Sequence, residues 1–144
     1  MRNLLSILAL SAAALNPAAA DNHKPNLVTI LTAPEPQTQL MAMVLSMQSL
    51  SQGASVKIML CGPAGDLALR DAPDSATAPQ KPKGMSPQGL MQQIMKKGGK
   101  VEVCAIYLPN KALAGDALID GISPAKPPEM AASLLADNTR IISF

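Results

Sequence analysis

Gly98-Gly99-Lys100-Val101-Glu102-Val103-Cys104-Ala105-Ile106-Tyr107 decides how the chain is read. Two glycines stop a helix, a short alternating run makes a strand, and the strand ends on a cysteine. In an open α/β sheet the carboxyl ends of the strands are where ligands and reactive groups collect. Upstream, Ser86-Pro87 is a helix start, with Ser as N-cap and Pro in the first turn. Leu90, Met91, Ile94 and Met95 form the apolar stripe of that helix. Lys96 and Lys97 follow in its last turn, where cations suit the dipole.

The same alternation extends outward. Leu27 to Thr32 is a β-rich run with little polar interruption, as in a strand covered on both faces. Pro34-Glu35-Pro36 breaks it. Gln37 to Gln52 then reads as a helix with Leu40, Met43, Val44, Met47 and Leu50 on one face. Ser55 to Leu60 is a second strand ending at Cys61, and Gly62-Pro63-Ala64-Gly65 is a sharp turn. Asp66 to Met85 reads as a short helical turn near Leu67–Leu69 and then a proline-rich loop, a candidate lid over Cys61. After Cys104 come a turn at Leu108-Pro109-Asn110 and a short segment from Lys111 to Ala114. A fourth, short strand is expected around Ala117–Ile119. A helix from about Pro128 to Leu135 should face inward through Met130, Leu134 and Leu135, and Arg140 to Phe144 is a last strand. This order predicts an α/β fold: a three-layer α/β/α sandwich on a mostly parallel sheet of about five strands.

Residues 1–20 have the order of a signal peptide: Arg2, an apolar run from Leu4 to Leu15, then Ala18-Ala19-Ala20. The run is shorter than the roughly 20 residues of a membrane span. Cleavage near Ala20 would leave a flexible leader over residues 21–26 and one domain over 27–144. The expected location is the periplasm, with no membrane insertion after cleavage.

Composition removes several functions. The net charge is +2 at pH 7 and the only aromatics are Tyr107 and Phe144, so nucleic-acid stacking has almost no material. The single histidine, His23, lies in the leader. A Ser-His or Cys-His pair therefore lacks a base within the fold, and no zinc site or other cofactor is expected. There is no P-loop. Met41, Met43, Met47 and Met59, with Cys61, are soft ligands that raise Cu(I) binding as an alternative to core packing.

Several runs together resemble the DsrE/DsrF-like family. They are Ser86-Pro87 through Gly98-Gly99 to Cys104, Leu118-Ile119-Asp120-Gly121-Ile122, Thr139 to Phe144, and Leu60-Cys61-Gly62 with Gly65-Asp66. The resemblance spans Leu27 to Phe144. It implies a small α/β/α sandwich, often a homo-oligomer, and in some members a cysteine persulfide passed between donor and acceptor proteins. The active cysteine would be Cys104. Where some relatives have a second cysteine three positions later, this chain has Tyr107, and the basic residues that often follow are reduced to Lys111.

The chemistry needs a thiolate at Cys104. The amino end of the following short helix, or Lys111 folding back, would favour it. Tyr107 would donate to the sulfur or line the pocket. Cys61 would be a resolving or supporting thiol, if strand order brings it near. Three states of Cys104 follow: a reactive thiol, an inert core thiol, or one half of a disulfide with Cys61. The competing function is a non-catalytic oligomeric binding module.

Overall fold

The computed structural model describes residues 24–144. The signal-peptide reading of residues 1–20, the first part of the leader and His23 lie outside the described residues. Five strands form one sheet: β1 (Asn26–Leu31), β2 (Ser55–Leu60), β3 (Lys100–Val103), β4 (Ser123–Pro124) and β5 (Thr139–Ser143), in the order β4-β3-β2-β1-β5. Every pairing is parallel. The helices are α1 (Pro36–Ser51), α2 (Asp74–Thr77), α3 (Pro87–Lys96), α4 (Tyr107–Asn110) and α5 (Pro127–Leu135). Among the described residues, no helix is long and apolar enough to cross a membrane.

Strand alternation assigns the layers. Leu27, Thr29 and Leu31 of β1 face α1, where the buried hydroxyls of Thr29 and Ser46 bond at 2.9 Å. Val56, Ile58 and Leu60 of β2 share that side and are buried with Met43, Leu90, Met91 and Ile94 from α1 and α3. Lys57, on the opposite face of β2, reaches Ser133 of α5 at 2.8 Å. Thus α1 and α3 cover one face and α5 the other. On that second face Glu102, 5% exposed, accepts Lys100 at 2.8 Å and lies 3.8 Å from Lys57.

The helix starts are as the local chemistry requires. The Ser86 hydroxyl accepts the Gly89 amide at 3.1 Å, and Gly98 closes α3 in the left-handed region at φ 94°. The leader ends inside the sheet: β1 begins at Asn26, and the Ser55 amide donates to the Pro25 carbonyl at 3.0 Å.

Four expectations need correction. Ala117–Ile119 is not a strand: Gly115–Ala117 is a 3-10 turn, and Leu118 makes one isolated antiparallel bridge to Leu69. The fourth strand is Ser123–Pro124, beside Glu102 and Val103 of β3. Its proline is tolerated because the strand is at the sheet edge. Residues 66–85 are not a lid over Cys61. A 3-10 helix (Gly62–Ala68) buries Leu67 and Ala68 completely, and Ala76 of α2 is also buried. Gln88 of α3 donates to the carbonyls of Leu67 and Leu69. The tip, from Gln80 to Met85, closes in an antiparallel bridge and lies beside α1. The turn expected at Leu108-Pro109-Asn110 is the short helix α4, and Lys111–Ala114, expected as the short segment, is turn and coil after it. Finally, Met130 points inward, but Leu135 is 84% exposed. It is one residue past the i+4 partner of Met130, so the helical turn carries it off the buried face.

Candidate functional site

The register of β2 and β3 aligns Leu60 with Val103, so the next residues, Cys61 and Cys104, leave the sheet side by side. The Cys104 amide donates to the Leu60 carbonyl at 2.8 Å, and the Cys61 amide to Leu31 at 2.9 Å. Strand order, which the sequence left open, is what brings them together. Both are free thiols and both are half-buried. Burial first, and then the neighbouring Cys104 side chain, push the Cys61 thiol up to about 12. Cys61 therefore keeps its proton at neutral pH.

Beside the thiols is a second cluster. Asp66 Oδ1 accepts the Tyr107 hydroxyl at 2.5 Å and pairs with Lys111 Nζ at 3.0 Å. Lys111 Nζ also lies 5.8 Å from the Tyr107 ring centre. Both residues named as aids to the sulfur are thus engaged with Asp66. Tyr107 is buried against the Gly62–Ala68 turn, and a Cβ on Gly65 would run into its ring. Gly65 is therefore the residue that admits Tyr107. The Tyr107 amide donates to the Cys104 carbonyl at 2.8 Å, so this cluster fixes the backbone that carries the thiol. In the sequence Asp66 is only the start of the proline-rich segment, with no role at the site. Its signal was the glycine turn directly after Cys61.

The soft-ligand set does not converge. Met43 is fully buried under α1. Met59 and Cys61 follow the opposite parity of β2 and lie across the sheet from it. Met41 is half exposed on α1. Among the described residues, no group of three or more His, Cys, Asp or Glu is placed to hold a metal ion.

The all-parallel five-stranded sheet with helices on both faces has the DsrE-like fold. Two solved structures have this architecture. The ychN protein from E. coli superposes with a TM-score of 0.64 at 18% identity, over 84% of this chain and 99% of that one. MTH1491 from Methanobacterium thermoautotrophicum, described as a protein of unknown function, gives a TM-score of 0.62 at 11% identity, over 84% of this chain and 100% of that one. At these identities the likeness concerns the fold alone. No family model matches the chain, and no curated protein does.

Proposed function

We propose that the chain is an exported thiol-based carrier of sulfur, with Cys104 as the carrying residue and Cys61 as its supporting thiol. The observation that carries this reading is the juxtaposition of Cys61 and Cys104 at the carboxyl ends of adjacent strands. In loading, the Cys104 thiolate attacks the sulfane sulfur of a donor persulfide. A bond from Cys104 Sγ to that sulfur forms, the donor S–S bond breaks, and the donor leaves as a thiolate. Cys61, retaining its proton, donates to the Cys104 sulfur and supports the charge there. Export and a periplasmic location rest on the order of charge, apolar run and small residues in residues 1–20. The expected partners are further copies of the chain and a donor or acceptor protein. Ile106, Leu135 and Ile141, all exposed, are candidates for the contacts.

The same juxtaposition favours a second reading, redox exchange. If the Cys61 thiolate attacks Cys104 Sγ in the persulfide, the two thiols become a disulfide and the sulfane sulfur leaves, reduced, as hydrosulfide. The high Cys61 pKa opposes that step at neutral pH and favours retention of the persulfide.

Intact mass after treatment with polysulfide, with and without alkylation, tests both. The carrier predicts one added sulfur that vanishes in Cys104→Ser and survives in Cys61→Ser. Loss of two hydrogens with hydrosulfide release assigns redox exchange instead. No mass change, with thiols that alkylate only after unfolding, overturns both and leaves a non-catalytic binding module.

A further inference from the structure

On the face of the sheet covered by α1 and α3, the chain leaves a groove unrelated to the cysteines. Leu40, Val44 and Met47 recur at helical spacing on α1, yet each is only half-buried. Met85, from the tip of the 66–85 segment, and Leu90 of α3 complete an apolar floor. The cavity is about 590 Å³ and follows α1 from Gln37 to Ser51, about 21 Å of helix. That volume is in the range of small-molecule sites, roughly 300–1,000 Å³.

The rim is charged in one sense. Lys81, Lys83 and Lys97 line it, and no Asp or Glu does. Elsewhere among the described residues, lysines pair readily: Lys57, Lys100, Lys111 and Lys126 all lie within 4 Å of a carboxylate. The three rim lysines have no such carboxylate partner among the described residues. They are therefore available to an anion from outside. The methionines of the floor adapt to a flexible chain without a fixed shape.

We propose that this groove binds a long-chain carboxylate, its alkyl chain along α1 and its head group among Lys81, Lys83 and Lys97. Charge complementarity selects this occupant. A neutral lipid would leave the lysines unused. The chain's own apolar N-terminal run begins beside Arg2, a cation that the rim would repel.

The test is displacement of a fluorescent polyene fatty acid from the full chain by palmitate or by cetyl alcohol, which has the same chain and no charge. Palmitate should saturate one site per chain and bind about tenfold tighter than cetyl alcohol. The triple variant Lys81→Ala/Lys83→Ala/Lys97→Ala, exposed at every position, should erase that difference. Val44→Trp should block both ligands while circular dichroism stays unchanged. If Val44→Trp fails to fold, the lysine variant alone decides the matter. Absence of saturable binding overturns the proposal. Equal binding of the two ligands by the unsubstituted chain also overturns it. So does palmitate binding only after residues 2–20 are deleted, which would make that segment the occupant.

Discussion

Tyr107 is the only tyrosine in the chain, so its ionisation can be watched without interference. Burial raises its pKa above the ordinary 10.0, and the hydrogen bond to Asp66 and that carboxylate's charge raise it further. The native state therefore holds this proton more tightly than the unfolded chain does. The stabilisation is fully present below the unfolded value near pH 10 and is lost as pH rises through the folded one. Cys61 contributes in the same direction, from 9.0 towards about 12. In a Cys61→Ser background the slope that remains is that of Tyr107 together with Lys100, whose pKa the hydrogen bond to Glu102 also raises, so the Tyr107 share is the part that Tyr107→Phe removes. Tyrosinate absorbance should then appear only as the protein unfolds at alkaline pH, and stability should decline above about pH 10. Tyr107→Phe should flatten that decline and cost about 1 kcal/mol at neutral pH, because Asp66 keeps Lys111. Tyrosinate forming near pH 10 in the folded protein, seen with unchanged circular dichroism, would refute the burial and the Asp66 bond together.

Between elements, β1 and α1 are joined by a polar contact inside an apolar layer. Thr29 and Ser46 are fully buried, and each hydroxyl has the other as partner. Either Thr29→Val or Ser46→Ala leaves one buried hydroxyl unpaired, at a cost of about 1–3 kcal/mol. The double variant removes both groups, so its cost should be clearly less than the sum of the two. Urea unfolding of the four proteins checks this, and simple additivity would mean that the contact does not couple the elements. Elements of this kind were legible in the sequence: the unbroken apolar run of β1, the Ser86-Pro87 start and the Gly98-Gly99 stop act locally. The two-residue β4 was not, because it exists only through its pairing with β3. The packed segment after Cys61 was equally hidden. It buries Ala64, Ala68 and Ala76, and alanines in a proline-rich stretch carry no apolar period. Each cysteine was legible as a strand end. Their contact was not, since strand order is set by how the whole sheet packs. The same holds for Asp66, brought to Tyr107 by the packing of two separate crossovers.

Across the whole molecule, chain order explains why one face is thick and the other thin. From β1 through β4 each strand is added on the same side of the last, so right-handed crossovers keep α1 and α3 on one face. Only the return from β4 to β5 crosses the opposite face, and it brings α5 alone. That face consequently carries the Lys57–Glu102–Lys100 ion cluster and leaves Ile141 half exposed. The order also sets β2 and β3 side by side at the centre of the sheet, with their cysteines flush. A bond between Cys61 and Cys104 would close a loop spanning 43 positions of the chain. On the chain-entropy account such a loop is worth up to about 4 kcal/mol, and strain reduces the measured gain to about 2–4 kcal/mol. For a domain of this size the melting temperature should rise by roughly 10 °C. Thermal scans of the diamide-oxidised and reduced chain measure the difference, with intact mass confirming the loss of two hydrogens. Cys61→Ser should melt at one temperature under both conditions. A disulfide that forms without raising the melting temperature would mean that oxidation distorts the β2–β3 ends as much as it constrains the unfolded chain. Failure to form any disulfide would mean that the two sulfurs do not share the end of the sheet.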